Sequence, residues 1–240
     1  MRNRLEKIKR FLRARLSREG YLGLHLTFGV LFLSLATWLF AALAEDVTNG
    51  DPITTLDVRF SNWLHAHAAG WLTNVMLVIT NLHSALGISI MTLGIAVYLW
   101  RQRLRHWVFT FLLTVYSGVL LNYLLKLVFH RARPHFANPI VTLTSPSFPS
   151  GHTMTATVFY GTLCAIVISR VDGWGRRALC ILIALFLISL VGFSRIYLGA
   201  HFLSDVLGAM AEGAAWLALC LTATETWRRR KKVVSSGGDN

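Results

Sequence analysis

Long apolar stretches set the rhythm of this chain. A helix needs about 20 apolar residues to cross a bilayer, and the first such run covers residues 21–44. Further runs lie at about 84–100, 106–126, 153–170, 177–194 and 202–224. The pattern predicts an all-α fold, a polytopic membrane helix bundle with six transmembrane helices over residues 21–227. Between the first two runs the rhythm breaks. A polar stretch holding Glu45, Asp46, Asp51, Pro52 and Asp57 leads into a mixed segment, 58–83, with Trp63, His65, His67 and Trp71. That segment is too interrupted for a span and reads as a helix near the membrane interface. In residues 1–20, Leu5, Ile8, Phe11, Leu12 and Leu16 recur at helical spacing among basic residues, the pattern of an amphipathic helix on an anionic membrane surface. Four of the five prolines (Pro134, Pro139, Pro146 and Pro149) fall between the third and fourth spans, which predicts a stiff, non-helical loop. Residues 228–240 read as a basic, then disordered, cytoplasmic tail, Ser/Gly-rich from Val233 onward.

Composition agrees with a lipid environment. Apolar residues make up 54% of the 240 and charged ones only 15%, against about a quarter charged in a soluble domain. The net charge of +13 does not indicate nucleic acid, because no basic face or recognition module stands out. The charges mark topology instead. Segments 1–20, 101–105, 170–177 and 228–232 hold 19 of the 24 Lys and Arg residues, so the positive-inside rule puts these segments and both termini in the cytoplasm. Trp38, Trp63, Trp71, Trp100, Trp107, Trp174 and Trp227 fall near the interfaces, as in an aromatic belt. Cys164, Cys180 and Cys220 sit singly in apolar runs with no metal-type spacing. The first apolar run lacks a small-residue cleavage site and reads as an anchor rather than a removable signal.

The five cations that break the topological rule carry the chemistry. They are Arg59, Lys126, Arg131, Arg133 and Arg195, and the last four sit at or beside span ends, where an unpartnered charge is costly. His152 and His201 begin the fourth and sixth spans on the same side. An anionic ligand at that face would explain such a gathering. The sequence Pro149-Ser150-Gly151-His152 opens an apolar helix. A glycine there lets backbone come close to a ligand and free N–H groups favour an anion, though Ser-Gly also serves as a plain N-cap. His201 and Asp205 are four apart and share a helix face. Asp205 either makes a structural contact there or fixes the imidazole tautomer, leaving the other nitrogen free to attack.

Taken together these segments resemble the signature of the type 2 phosphatidic acid phosphatase superfamily: K-x6-R-P, P-S-G-H, then S-R-x5-H-x3-D. Lys126 to Pro134, Pro149 to His152 and Ser194 to Asp205 match it without a substitution, in order and in spacing. The resemblance covers about residues 84–224. It implies that His201 attacks phosphorus to form a phosphohistidine, that Asp205 orients it, and that His152 protonates the leaving group and later activates water. Lys126, Arg133, Ser150, Gly151 and Arg195 would bind the phosphoryl oxygens. Phosphoryl transfer relies mainly on positioning and charge stabilisation, which three cations and a helix start supply. No carboxylate cluster suited to Mg²⁺ is visible, so no metal or cofactor is expected.

Several residues stay outside that scheme. His130, Arg131 and His135 flank the first motif and are expected to face water or lipid phosphates, the alternative being contact with a second phosphate or a headgroup. Glu212 lies inside the sixth span, either functional or packed on a polar neighbour, and Asn122 is a candidate supporting residue. His65, His67 and His83 are placed at the outer interface, His25 and His106 near the inner face. The leading function is a lipid phosphatase of a bacterial inner membrane, acting at the periplasmic or exterior face. Undecaprenyl diphosphate is the first choice of substrate, ahead of phosphatidylglycerol phosphate, phosphatidic acid and lipid A phosphates. Lipid-to-lipid phosphotransfer is the related alternative. An anionic-lipid transporter is the rival from another class, although transporters favour midplane sites and internal repeats.

Overall fold

The computed structural model describes residues 23–236, and every regular element among them is an α-helix. The expected amphipathic segment 1–20 lies outside the described residues. Helix α1 (Leu24–Asn49) is stopped by Gly50, whose left-handed backbone (φ 77°) turns its N–H back to the Asp46 carbonyl. Pro52 then opens α2 (Pro52–Ala66), since its fixed φ suits a first helical position where no N–H is needed. Next come α3 (Gly70–Leu82) and α4 (Ala85–Arg101), bent by 56° where they meet. The Ser84 hydroxyl accepts the Gly87 N–H at 3.2 Å, a new N-cap that starts α4 as a separate helix. The remaining helices are α5 (Arg105–Phe129), α6 (Gly151–Ile168), α7 (Trp174–Tyr197) and α8 (Leu203–Ser236).

Helices α1, α5, α6, α7 and α8 are each long and apolar enough to cross a membrane, and the α3–α4 pair taken together makes a sixth candidate. The chain is therefore an all-helical, multi-pass membrane protein with five or six spans. This corrects two expectations. Segment 58–83 is not one interfacial helix: it divides between α2 and α3, and α3 joins α4. Alone, the 17 residues of α4 rise only about 26 Å, short of the roughly 30 Å hydrocarbon core, and the run at 84–100 reaches the length of a span only together with α3, as a broken span or a re-entrant pair. Polar Asn81, His83 and Ser84 at the break hide that continuity in the sequence. At the other end, α8 runs through the basic residues to Ser236. Arg and Lys are good helix formers and no Gly or Pro intervenes before Gly237, so the irregular tail does not begin at Val233.

Helix α6 is the central element, packed against α5, α7 and α8, while α1 lies along α8, α4 on α5 and α3 on α7. Close approach depends on small residues: a Cβ added at Gly192 of α7 would come within 2.6 Å of Val206, and one at Gly213 of α8 within 2.7 Å of Thr157. Outward, α1 presents Phe28, Leu31, Phe32 and Leu35, and α7 presents Leu182, Leu185 and Phe186, all more than half exposed. Such faces suit acyl chains rather than water.

The loop between α5 and α6 is pinned into the bundle by Phe148, which has no exposed surface. Its ring stacks on Phe40 at 5.8 Å and meets Phe129 edge-on at 5.0 Å. A Cβ at Gly208 would lie 2.6 Å from it. Truncation of a fully buried phenylalanine costs about 3–5 kcal/mol. Phe148→Ala should therefore clearly lower the thermal unfolding midpoint in detergent, and an unchanged midpoint would show that the loop is not anchored there.

Candidate active site

One end of the bundle collects helix termini: the C-terminal ends of α5 and α7, the N-terminal ends of α6 and α8, and the loop 130–150. The turn from α7 into α8 needs a left-handed residue, supplied by Gly199 (φ 68°), where any Cβ would meet the Phe136 ring at 2.7 Å. The backbone N–H groups of Ala200 and His201 both donate to the Arg195 carbonyl, at 3.0 and 3.2 Å. The turn thus delivers the His201 side chain inward, with 2% of the residue exposed.

His201 Nδ1 lies 3.3 Å from Asp205 Oδ2, and Nε2 lies 3.2 Å from Arg133 Nη1. A guanidinium only donates, so Nε2 carries the lone pair and Nδ1–H donates to Asp205. Burial pushes the imidazole down to about 3, against the pull of Asp205 and with help from the Arg133 and Arg195 charges. A neutral imidazole with its lone pair on Nε2 is the form that can attack.

Asp205 has no exposed surface and is ringed by donors. Its Oδ1 accepts Arg131 Nη1 at 2.6 Å. Its Oδ2 accepts the Ser147 hydroxyl, the Phe202 N–H at 2.8 Å and the His201 Nδ1–H. The cations are held differently. Arg133 Nη1 donates to the Ala200 carbonyl at 2.5 Å and Nε to the Ser145 carbonyl at 2.6 Å. Lys126 Nζ donates to the Pro146 carbonyl at 2.6 Å, an oxygen that Arg133 Nη2 also reaches at 3.2 Å. Arg195, 4% exposed, donates Nη1 to the Thr80 hydroxyl, and its Nε is buried without a hydrogen-bond partner. Among the described residues, none of these three cations makes an ion pair with a carboxylate. Burial lowers the Arg133 guanidinium from its ordinary value, the cost of holding charge away from water. Three positive charges with no carboxylate ion pair make this end of the bundle attractive to an anion.

The start of α6 completes the wall. Ser150 stands at the N-cap position, but its hydroxyl pairs with Thr153 Oγ1 at 3.0 Å and caps no backbone N–H. The plain N-cap reading of Ser150 is therefore set aside. Its own N–H donates to the Asp205 carbonyl at 3.1 Å, tying α6 to α8. At Gly151 the backbone passes so near α5 that a Cβ would sit 3.2 Å from Asn122 Oδ1. His152 follows, within electrostatic reach of Arg195, His201, His83 and Arg133.

The structure thus brings all eight candidate site residues of the motifs to one end of the bundle, with His201 in direct contact with both Asp205 and Arg133. Reading the sequence missed Asp57, Thr80 and Ser147, and it left Arg131 facing water or lipid phosphates, whereas Arg131 bridges Asp57 and Asp205. The one available signal was an acid, Asp57, set between Leu56 and Val58. His83 is buried rather than interfacial: its Nδ1–H donates to the Ile79 carbonyl at 2.9 Å and its Nε2 accepts the Tyr160 hydroxyl at 2.9 Å. A histidine that closes a helix and meets a tyrosine of α6 satisfies both nitrogens inside the bundle. Glu212 packs on a polar neighbour, its Oε2 accepting Asn122 Nδ2 at 2.9 Å.

Comparison with known proteins agrees with this architecture. The model of the PAP2 superfamily matches residues 107–229. Phosphatidylglycerophosphatase B of Bacillus subtilis is 31% identical over 187 residues, 76% of this chain and 90% of the relative. The undecaprenyl-diphosphatase BcrC of the same bacterium is 30% identical over 60% of this chain and 71% of its own. The crystal structure of a transmembrane PAP2-type phosphatidylglycerolphosphate phosphatase from Bacillus subtilis superimposes with a TM-score of 0.72 at 30% identity, covering 79% of this chain and 94% of that one. Family model, whole-length relative and superposition agree with the three motifs, and the chain belongs to the PAP2 superfamily.

Proposed function

We propose that this protein is an integral membrane phosphatase that removes a terminal phosphate from a lipid through a phosphohistidine on His201. One observation carries the reading: His201 Nε2 lies 3.2 Å from Arg133 Nη1, at an end of the bundle that also holds Lys126 and Arg195, and among the described residues none of these three cations has a carboxylate ion pair. The lone pair attacks phosphorus while the bond from phosphorus to the lipid oxygen breaks; His152, which takes up a proton from solvent as the substrate's negative charge enters among the cations, donates that proton to the lipid oxygen. His152 then takes a proton from water, the resulting hydroxide attacks phosphorus, and the N–P bond breaks to release inorganic phosphate and restore the lone pair. Lys126, Arg133, Arg195 and Ser150, with the N–H groups at Gly151, hold the charge spread over the equatorial oxygens. Asp205 keeps the imidazole in its attacking tautomer.

Phosphatidylglycerol phosphate leads the substrate panel, because the relative named for that activity matches over 90% of its length. Undecaprenyl diphosphate follows. The orientation proposed from charge is six spans with α3–α4 counted as one, both termini cytoplasmic and the site on the outer side of a bacterial inner membrane.

The purified protein should release phosphate from lipids of this panel without added metal. His201→Ala should lower the rate by about a thousandfold or more, and a variant with normal turnover would remove the mechanism. Inertness of the wild-type protein toward the whole panel would favour the transporter reading. Orthovanadate, which adopts the five-coordinate geometry of the transferring phosphoryl group, should inhibit at millimolar concentration or below. For topology, single cysteines at Leu143 and Arg103 in a background lacking Cys164, Cys180 and Cys220 should separate in intact cells. An impermeant maleimide should modify position 143 and spare position 103, and the reverse pattern would invert the orientation.

A further inference from the structure

Arg131 and Arg133 leave the same loop two residues apart and meet opposite partners. Arg133 meets carbonyls and an imidazole, whereas Arg131 meets two acids. Its Nη1 donates to Asp205 Oδ1 at 2.6 Å and to Ser204 Oγ at 2.7 Å, and its Nη2 donates to Asp57 Oδ2 at 2.8 Å. Asp57, 1% exposed, accepts the Ser204 N–H on Oδ1 at 2.9 Å and the Ser204 hydroxyl on Oδ2. The guanidinium plane lies over the Phe202 ring, 4.6 Å from its centroid. The set joins α2, the loop after α5 and the first turn of α8.

We propose that Asp57 and Arg131 are positioning residues for the Asp205–His201 pair, a relay that none of the three motifs contains. The proposal rests on the hydrolase reading above. The Phe202 N–H at 2.8 Å, the Ser147 hydroxyl and the His201 Nδ1–H all meet Oδ2, and a carboxylate held at one oxygen can still turn about it in a broad, nearly two-fold well. Arg131 fixes the plane from the other oxygen. Arg131 is itself a long side chain with many rotamers, and Asp57 holds the far arm of its fork. Direct phosphate binding is the wrong role for it, because an incoming anion would have to displace a buried carboxylate from each arm. A fold-stabilising ion pair alone would make no demand on where Asp205 Oδ2 points.

The test uses the full-length protein in detergent and the panel lipid that the wild-type protein hydrolyses. Arg131→Gln should lower kcat by about 10- to 100-fold, the loss seen when an outer partner of a functional histidine is removed, with KM unchanged. Asp57→Asn, which keeps an acceptor for Ser204 but not the charge, should lose less. In an Asp205→Asn background, Arg131→Gln should cost nothing further, because the group it positions is already altered. Full kcat in a folded Arg131→Gln protein, a raised KM at constant kcat, or additive losses with Asp205→Asn would each overturn the relay. If Arg131→Gln does not fold, Arg131→Lys and Asp57→Asn decide the matter by the same criteria: lowered kcat at constant KM supports the relay, and full kcat in either folded protein overturns it. A wild-type protein that releases phosphate from no lipid removes the hydrolase reading and the relay with it; wild-type turnover with full kcat in the folded variants removes the relay alone.

Discussion

A carboxylate cut off from water must be met by donors that replace the water it has lost, and Asp205 sets that condition for this fold. Its donors come from four places in the chain: Arg131 and Ser147 at either end of the α5–α6 loop, His201 in the α7–α8 turn, and the Phe202 N–H at the start of α8. His201 and Phe202 reach the carboxylate from its own turn, but Arg131 and Ser147 reach it only when the α5–α6 loop has closed onto the start of α8. Removing one partner of such a buried charge typically costs about 3–5 kcal/mol. The Phe148 anchor and the Gly199 turn can be read in that light. Each fixes a non-helical segment whose only access to Asp205 is through a narrow range of backbone paths.

The same end of the bundle treats its two signs of charge unequally. Asp57 and Asp205 share Arg131, which cancels one of their two charges inside the protein, and neutral donors meet the rest. Lys126 and Arg133 are held by carbonyl oxygens, and Arg195 by a hydroxyl. Neutral oxygens orient a cation without cancelling it, and the start of α6 adds the positive end of a helix dipole. Excess positive potential therefore faces the neutral imidazole. Placing it at helix ends, rather than at the middle of the spans, limits the desolvation cost of three cations in a lipid environment.

What the sequence made legible is what short-range geometry dictates. His201 and Asp205 share a face because they are four apart in the chain, and Ser150-Gly151 opens a helix because proline ends the loop before it. The long-range partners were not legible. Arg131 meets Asp57 across 74 residues, Thr80 meets Arg195 across 115, and Asn122 meets Glu212 across 90. No local pattern selects among several acids or hydroxyls on distant helices; that choice is made by packing. The pairing of α3 with α4 was missed for a related reason. Asn81, His83 and Ser84 look like interface residues until the tertiary contacts of His83 are known, with one nitrogen turned to its own helix and the other to Tyr160. Polarity in a membrane protein marks either water or a buried partner, and composition alone does not separate the two.

One contact ties the electrostatics to the proposed chemistry. The Nε2 lone pair needed for attack lies 3.2 Å from Arg133 Nη1, so an N–H donor already covers the nucleophile. Attack therefore requires that donor to change acceptor, from imidazole nitrogen to phosphoryl oxygen, as the N–P bond forms. The exchange is short, because Nη1 remains held by the Ala200 carbonyl at 2.5 Å and Nε by the Ser145 carbonyl at 2.6 Å, so the guanidinium need not leave its place. A donor anchored in this way costs little reorganisation when charge develops, which is the main source of electrostatic catalysis. Arg133 is then more than a phosphate ligand. It holds the tautomer of His201 from one nitrogen while Asp205 holds it from the other, and the approach of an anion releases the first constraint without loosening the second.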